Sequence, residues 1–503
     1  MKKRTVLVLV STLCFLLACC GKKPTPTPAP PTQTPTPAPP TQTPTEAPTP
    51  TPDFSYKADT DTRFQTIDGF GAGYTWYSEE ATGHPYAETI YDLLFRDAGL
   101  TILRFKNEFG YSTFEQSAAS NLAFYEAAKK RAAERGEEVT ILYTSWSPAA
   151  YLKSNGTIKG HGSLRRDDSG QYDYEGFADW WVQSVNAYRE KGIPVDLVSI
   201  QNECDFAVDY DGCEFDQRES AENASYASAF LSSYRKFKET FGAEAPLMIA
   251  PETMTAKAMT VKLYLSEILS AEPDSIYAVA HHLYDGGTST DTPDDCQYDS
   301  FSSNLRALKE YGETYGFRLW QTEFYRGTAL QTANMIQNTL AIENAGAYIY
   351  WGGVWIGTLA DNLESNTLIP CSVRIAELDG RTGYTVTGAY YAMRHFSEFI
   401  RPGYVRVQSS ASQLSDAASV SLKHSTYLSP DGNRLVIVFL NNSADPQTVC
   451  VSGTGFNKAG LIRQSVFSQG FTADMMYQDK GAVPASGYIA LPAESVTTVV
   501  LDR

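Results

Sequence analysis

Apolar strand-like runs alternate with amphipathic helical stretches from about residue 64 to residue 400 of this chain. Repeated strand–helix–strand units form parallel sheets whose strands are buried on both faces. Eight such units predict a closed (β/α)8 barrel, and a doubly wound open sheet is the alternative. No Gly-x-Gly-x-x-Gly motif follows any of the runs, which disfavours a nucleotide-binding sheet. The runs end near Tyr74, Phe105, Thr144, Gln201, Ala250, Ala280, Thr322 and Trp351.

The pattern changes after about residue 400 to period-two alternation broken by Gly, Pro, Asn and Asp. This pattern predicts a small all-β sandwich over residues 400–503, with residues 67–399 forming the barrel. Residues 54–66 are expected to add a strand to the sandwich. The predicted fold class is α/β, a (β/α)8 TIM barrel with a C-terminal side β-sandwich domain completed by an N-terminal strand. Its predicted strand runs are Val405–Leu422, Arg434–Asn441, Thr448–Ser452, Gly487–Leu491 and Ser495–Leu501.

The first 53 residues are not predicted to fold into a domain. Residues 1–18 have a basic start and an apolar run too short to span a membrane, which indicates an export signal. The run ends in Leu-Leu-Ala-Cys, which resembles the lipobox of bacterial lipoproteins, so Cys19 is the predicted lipidation site, with Cys20 adjacent to it. A plain secretory signal is the alternative. Residues 19–53 are rich in Pro and Thr and predict an extended spacer that holds the next domain outside the cell membrane.

Composition excludes several classes of function. The net charge of −17 argues against nucleic acid and other polyanionic partners. No His-Glu-x-x-His motif or other metal-ligand spacing occurs, so no metal or cofactor is predicted.

Five cysteines lie beyond the signal and anchor, without Cys-x-x-Cys spacing, and Cys204 and Cys213 are either a disulfide across one loop or unpaired thiols. The other three are Cys296, Cys371 and Cys450.

Two glutamates stand at the ends of buried-type strands. Glu203 closes the run V-D-L-V-S-I-Q-N-E, and Glu323 closes F-R-L-W-Q-T-E. In a parallel barrel these positions lie on the carboxyl-end rim, where strands four and seven present their side chains to a common opening. Cleaving a glycosidic bond requires a pair of carboxyl groups such as these. The two groups lie about 5 Å apart in enzymes that retain the anomeric configuration and about 6.5–9.5 Å apart in enzymes that invert it.

Polar neighbours of the two glutamates have predicted supporting roles. The amide of Asn202 is expected to donate to a substrate hydroxyl. Arg104, at the end of the second strand, is expected to lower the pKa of the nucleophilic carboxylate. Tyr284 is expected to donate its hydroxyl to Glu323, and His282 to buttress the site, whereas His281 is interpreted as a packed core residue.

Aromatic side chains follow several strand ends and are candidates for stacking on sugar rings. Trp146 follows the third strand and Trp351 ends the eighth. Others at the rim are Tyr325, Trp355, Phe206 and Tyr210.

Several segments together resemble glycoside hydrolase family 30, a family of retaining (β/α)8 glycosidases with a side β-domain. The resemblance covers about residues 54–503 and implies a retaining enzyme with Glu203 as acid/base and Glu323 as nucleophile. The segments are F-Q-T-I-D-G-F-G-A-G (64–73), S-W-S-P-A-A-Y-L-K-S-N-G (145–156), G-H-G-S-L (160–164), S-I-Q-N-E (199–203), W-Q-T-E-F (320–324) and Y-Y-A-M-R-H-F-S-E-F-I-R-P-G-Y (390–404).

Within the family, the chain looks most similar to bacterial xylanases of the glucuronoxylanase group. Those that act on glucuronate-decorated xylan carry an arginine just after the eighth-strand aromatic run, where it pairs with the substituent's carboxylate. Here the run is Y-W-G-G-V-W-I-G-T (350–358), without arginine. Glycines at 352 and 353 do not replace a guanidinium clamp, so a strict requirement for glucuronate is expected to be lost or relaxed.

The sequence therefore predicts an extracellular, lipid-anchored endo-β-1,4-xylanase that needs no cofactor and acts as a monomer. Its partners are expected to be the polysaccharide and, through the lipid anchor only, a bacterial membrane, with no nucleic acid. Other family-30-type activities remain open, namely exo-xylobiohydrolase, β-1,6-glucanase and β-glucosidase. A non-catalytic surface glycan-binding lipoprotein is the alternative from another class.

Overall fold

The computed structural model describes residues 52–284, 302–325, 327–357, 367–374, 376, 382–411, 421–456, 458–468 and 470–503. The predicted signal segment, Cys19 and most of the Pro/Thr-rich spacer lie outside the described residues, and so does Cys296. Among the described residues, no helix combines the length and the apolar character that crossing a membrane requires.

Eight parallel strands close into a barrel, which confirms the predicted (β/α)8 architecture. Each strand pairs with its neighbour along the chain, and β8 pairs with β1 to close the ring. We number the barrel strands as follows: β1 Gly69–Tyr74, β2 Ile102–Lys106, β3 Thr140–Thr144, β4 Leu197–Ser199, β5 Leu247–Thr253, β6 Ala278–His282, β7 Arg318–Glu323 and β8 Ala347–Tyr350.

The barrel interior is a small apolar cluster separate from the larger core between strands and helices. It consists of Ile102, Leu142, Leu197, Ile249, Ala278, Ala280, Trp320, Ala347 and Ile349. Because side chains alternate between the two faces of a strand, residues two and four positions after these also point into the barrel. The apolar layer thus fixes the positions of the residues above it, and these residues form the carboxyl-end layer of the barrel.

Helices cover the outer face of the strands. Several begin at a side-chain cap, such as Ser225, whose hydroxyl accepts the backbone N–H of Ser228 and starts the helix at Tyr226. The connection from β1 to β2 holds short segments, Glu79–Thr82, Ala87–Tyr91 and a π-helical turn Asp92–Asp97. The longer helices are Phe114–Ala133, Tyr174–Glu190, Tyr226–Phe241, Ala258–Ala271, Ser302–Tyr315, Ala329–Asn338 with a π-helical turn Thr339–Glu343, and Gly388–Ser397.

The side domain is a curled nine-stranded sheet, and the N-terminal strand completes it as predicted. That strand pairs antiparallel with Val405–Ala411 and parallel with Gln447–Cys450, so it joins the two halves of the sheet. The strands, in order across the sheet, are Gln478–Ala482, Lys458–Val466, Ser495–Asp502, Arg434–Asn441, Leu422–Leu428, Val405–Ala411, Phe54–Thr66, Gln447–Cys450 and Tyr488–Leu491.

Three strands of the side domain differ from the prediction. The predicted run 405–422 is wrong as a single strand, because Leu422 begins a separate strand that ends at Leu428. The strands Lys458–Val466 and Gln478–Ala482 were not predicted. Gln478–Ala482 is an edge strand with mostly exposed side chains, so it lacks the apolar alternation that marks a half-buried strand.

The side domain packs on the last barrel helix. His395 on that helix is buried and lies within hydrogen-bond distance of the hydroxyls of Thr498 and Ser465 in the side domain. Arg401 also ion-pairs with Glu137 of the barrel. These contacts join the side domain to the outer layer of the barrel rather than to its open end.

Candidate active site

One cavity of about 720 Å³ opens where the carboxyl ends of the barrel strands meet. Ten residues singled out from the sequence line this one cavity, although they come from the ends of five different barrel strands and the loops that follow them. They are Trp146, Asn202, Glu203, Phe206, Tyr210, Tyr284, Glu323, Tyr325, Trp351 and Trp355.

Arg104 and His282 lie directly behind the carboxylates and are fully buried. The strand period explains their position. Ile102 and Ala280 belong to the apolar barrel interior, so Arg104 and His282, each two residues later, point into the same space one layer higher. The neighbouring His281 points outward, where its Nε2 lies 2.7 Å from Glu343 Oε1 in the helical layer.

The two candidate catalytic carboxylates face each other across the cavity floor. An oxygen of Glu203 and an oxygen of Glu323 lie within 4.8 Å of each other. The two side chains are only 6% and 5% exposed, respectively. This separation matches the short spacing typical of retaining glycosidases rather than the wider spacing of an inverting pair.

Arg104 binds three side chains at once and holds the site together. Its Nη1 donates to Glu323 Oε2 at 2.7 Å, and its Nη2 donates to Asn202 Oδ1 at 2.6 Å. Its Nε donates to Glu252 Oε1 at 3.1 Å. Arg104 binds the amide oxygen of Asn202, and the NH₂ group at the other end of the amide can donate to a substrate hydroxyl.

His282 links the same carboxylates from the other side. Its Nδ1 lies 2.9 Å from Glu203 Oε1 and 3.9 Å from Glu323 Oε1. Its Nε2 lies 3.8 Å from Glu252 Oε1. The imidazole therefore contacts three acidic side chains and has no exposed surface.

These contacts shift the pKa values of the buried groups. Burial alone would lower the pKa of His282, but Glu323, Glu203 and Glu252 stabilise the imidazolium and raise it to about 9. Burial alone would raise the pKa of Glu252, but Arg104 and His282 bring it down to about 2. At neutral pH Glu252 is thus an anion and His282 a cation, and each keeps the other charged.

The pKa of Glu323 moves in the opposite direction. Burial raises it most, and the nearby Glu203 carboxylate raises it further, while His282 and Arg104 lower it in part. Two carboxylates this close do not both ionise freely, so the pair tends to retain one proton. The ion pair with Arg104, at 2.7 Å, opposes this rise and favours the negative charge on Glu323.

The backbone at two of these glutamates is strained. Glu203 has φ 45° and Glu252 has φ 58°, in the left-handed region that residues with a Cβ rarely adopt. The N–H of Glu203 donates to the carbonyl oxygen of Glu252 at 3.0 Å, so the two strained segments support each other. Strain of this kind persists where the surrounding structure fixes a side chain in a required position.

Aromatic rings form the walls of the cavity around the carboxylates. Trp76 is the central ring, with ring centroids 5.3 Å from Trp146, 5.9 Å from Trp351 and 6.1 Å from Trp355. Tyr325 stacks on Trp351 at 6.4 Å. Large planar apolar surfaces next to a few charged groups are well suited to holding sugar rings.

Models of both domains of one enzyme family match this chain. The model described as Glycosyl hydrolase family 30 TIM-barrel domain matches residues 111–215, and the Glycosyl hydrolase family 30 beta sandwich domain matches residues 403–499. The chain belongs to glycoside hydrolase family 30. It is therefore a glycoside hydrolase by family, which agrees with the resemblance inferred from its motifs.

Relatives within the family have different named substrates. Glucuronoxylanase XynC of Bacillus subtilis is 22% identical over 419 residues, which cover 79% of this chain and 82% of the relative. Endo-1,6-beta-D-glucanase neg1 of Aspergillus fumigatus is 23% identical over 320 residues, which cover 59% of this chain and only 58% of the relative. The solved structure of a family 30 subfamily 8 xylanase, Xyn30A, from Clostridium acetobutylicum shares the fold with a TM-score of 0.65 and 23% identity, covering 89% of this chain and all of that chain.

Several residues of this family 30 site were missed by the sequence reasoning. Glu252 lies near the carboxyl end of β5, but the predicted strand stopped at Ala250, three residues before the strand ends at Thr253. Trp76 follows β1 in Y-T-W, an aromatic at a strand end like Trp146. Lys106, Glu108 and Asp211 also line the cavity and carried no motif that would have marked them.

Two further expectations have different outcomes. The hydrogen bond from the Tyr284 hydroxyl to Glu323 stays a prediction, although the Tyr284 ring lies 6.1 Å from the His282 ring at the cavity wall. The open question of a Cys204–Cys213 disulfide is resolved, because both are buried free thiols in this structure.

Glu203, His282 and Glu323 are close enough together to hold a metal ion. The chemistry of the donors disfavours this use. A metal ligand must be a neutral imidazole, whereas the raised pKa of His282 keeps it protonated at neutral pH. Arg104, ion-paired to Glu323, adds a second positive charge beside the site.

We expect the His282 imidazolium to persist in the folded enzyme until about pH 9. The raised pKa of His282 stabilises the folded enzyme by about 3 kcal/mol at pH values below the unfolded-state pKa of about 6.5. This stabilisation is lost as the pH rises from there through about 9. Replacing Glu252 by Gln removes one stabilising carboxylate, so the pKa of His282 falls and this loss moves to lower pH. Histidine NMR titration of both proteins measures the shift.

Glu343→Gln is the matched control, because it removes a buried carboxylate that contacts His281 instead. The titration of His282 should be unchanged in that variant. An unaltered His282 pKa in Glu252→Gln would show that Glu252 does not govern the charge of this site.

Proposed function

We propose that this chain is a retaining β-glycosidase that cleaves β-1,4-xylan within the polymer, without a strict need for glucuronate side groups. The observation that carries the proposal is the pair of buried glutamates whose oxygens lie within 4.8 Å, one of them ion-paired to Arg104. That arrangement brings a carboxylate that can act as nucleophile and a carboxyl group that can act as acid and base together in one site.

In the first step, the Glu323 carboxylate attacks the anomeric carbon while the Glu203 carboxyl gives its proton to the glycosidic oxygen. The bond between the anomeric carbon and that oxygen breaks, and the glycone is held as an ester on Glu323. In the second step, Glu203, now a carboxylate, takes a proton from water as the water oxygen attacks the anomeric carbon. The ester breaks, Glu323 is released as a carboxylate, and Glu203 is again protonated.

Two features favour a xylan substrate without obligatory glucuronate. The Bacillus subtilis relative that matches over most of both chains is named a glucuronoxylanase. At Gly353, in the segment after β8, there is nevertheless no space for a side chain such as arginine, because a Cβ there would lie 2.4 Å from Cε1 of Tyr74. A side chain at that position requires Tyr74, a buried ring of the core, to move.

An endo-β-1,6-glucanase is the second candidate. The similarity to the Aspergillus fumigatus enzyme of that name favours it, although the match covers little more than half of each chain. Both candidates use the same two glutamates, so they differ in the sugar and linkage rather than in mechanism.

Glu203→Gln and Glu323→Gln should each lower kcat/KM on xylan by about 10³-fold or more. An aryl xyloside with a very good leaving group separates their roles, because its departure needs no proton. On that substrate Glu203→Gln should still release the phenol in a rapid first turnover, whereas Glu323→Gln should not. Stopped-flow absorbance measures the release.

Glu343→Gln provides a control in which a buried glutamate outside the cavity is changed in the same way, and it should keep nearly wild-type rates on both substrates. A near-wild-type rate on xylan for either Glu203→Gln or Glu323→Gln would refute the assignment.

A substrate panel distinguishes xylan from the competing glycans. We expect the wild-type enzyme to release a range of oligosaccharides from linear xylan, with glucuronoxylan cleaved no faster, and to leave β-1,6-glucan intact. Product analysis by chromatography measures all of these in one set of digests. Cleavage of β-1,6-glucan alone would favour the second candidate, and release of a single short product from chain ends would replace internal cleavage by exo action. Binding to the panel without any product would favour a non-catalytic glycan-binding protein.

A further inference from the structure

A second group of charged side chains lines the same cavity and has no role in the two-glutamate mechanism. Lys106, Glu108 and Asp211 are 2%, 6% and 6% exposed. Lys106 Nζ lies 3.0 Å from Glu108 Oε1 and also ion-pairs with Asp211 Oδ2. We call these three residues the Lys106 cluster. Buried charges of this kind are uncommon unless they are paired, and these three are paired with one another.

The fold brings the Lys106 cluster to the rim beside the catalytic pair. Lys106 is the last residue of β2 and lies on the same strand face as Arg104, two residues earlier. Glu108 follows two residues later. Asp211 comes from the loop after β4, which a backbone bridge between Lys159 and Asp211 attaches to the loop after β3.

Trp76 connects the Lys106 cluster to the catalytic centre. The Lys106 ammonium lies 4.3 Å from the centroid of the Trp76 ring. The same ring lies 5.3 Å from Trp146, which in turn is packed 4.6 Å from the Arg104 guanidinium. A sugar ring that covers Trp76 therefore lies within reach of the Lys106 cluster and next to the reacting sugar.

The composition of the Lys106 cluster suits hydroxyl groups. An ammonium group donates hydrogen bonds and a carboxylate accepts them, and a sugar hydroxyl does both, so a pair of neighbouring hydroxyls can bind lysine and carboxylate together. The two carboxylates outnumber the single ammonium, so the cluster carries one net negative charge. A sugar that brings its own carboxylate meets repulsion in a site shielded from solvent, where charges interact more strongly than in water.

We propose that the Lys106 cluster binds a neutral sugar unit next to the scissile linkage and discriminates against a uronate at that position. This inference rests on the proposed function, because it specifies the substrate of the same cavity. It goes further than the absence of an arginine clamp, which removes an attraction for glucuronate but supplies no repulsion.

Among the described residues that line the cavity, Lys159 is the other cation, and it is the competing site for an anionic sugar. Its side chain is exposed at the mouth, so its charge is screened by solvent and salt. The buried charge of the Lys106 cluster should therefore dominate the discrimination.

The test compares a xylo-oligosaccharide bearing one glucuronate with the same oligosaccharide in which that carboxylate is a methyl ester. The two differ in charge but hardly in size. The wild-type enzyme should show a kcat/KM about tenfold higher for the ester, as expected for unit charges several ångströms apart in a cavity that is largely shielded from solvent. The discrimination ratio should rise in Lys106→Met, fall in Asp211→Asn, and fall further in the double variant Glu108→Gln/Asp211→Asn.

Asp502→Asn makes the same change of charge on the side domain and should leave the ratio at the wild-type value. If Lys106→Met does not fold, the two variants that remove carboxylates still decide the question. A purely structural role for the cluster predicts altered melting temperatures with one constant ratio in all variants, which would overturn the inference. A wild-type preference for the free uronate that disappears in Lys159→Gln would overturn it as well.

The outcomes also separate this inference from the proposed function. If the wild-type enzyme cleaves neither oligosaccharide nor linear xylan, both are wrong. If it cleaves them with a ratio that the Lys106 cluster does not affect, only the inference is wrong.

Discussion

The fully buried guanidinium of Arg104 is the interaction on which the rest of this site depends. It joins Glu323, Glu252 and Asn202 through three separate nitrogens. Removing it would leave two buried carboxylates without their main counter-ion, and an unpaired buried charge costs several kcal/mol. The planar fork of arginine makes all three contacts in fixed directions, which the single point charge of a lysine cannot do.

The charges of the catalytic site compensate one another as a group of five side chains rather than as separate ion pairs. Three carboxylates face two cations, Arg104 and His282, in a space that is closed to solvent on the barrel side. One more proton brings the group to neutrality, and the proposed mechanism uses that proton on Glu203. Glu252 does not line the cavity among the described residues, yet it keeps His282 charged and Arg104 in place, so it acts through them on the reacting groups.

The sequence predicted the barrel, the side domain and the two rim glutamates because each depends on local pattern. The end of a buried strand can be located from the sequence, because an apolar run gives way to a polar residue there. Once eight parallel strands are located, the residues at their carboxyl ends are known to share the rim. The Lys106 cluster was not predictable in this way, because Asp211 reaches Lys106 only through the course of the loop after β4. Glu252 was missed for a different reason, since β5 continues past Pro251, a residue that usually ends a strand pattern. The side-domain strand Gln478–Ala482 escaped prediction because it is held by its backbone pairing and not by burial of its side chains.

The central claim is that the close spacing of Glu203 and Glu323 imposes two successive displacements at one carbon. The most direct measurement is proton NMR of the first product formed from a β-linked xylo-oligosaccharide, recorded before the anomers equilibrate. The new reducing end should appear first as the β anomer, because two inversions restore the original configuration. First appearance of the α anomer would mean a single displacement by water, and it would contradict the role assigned to this pair of glutamates.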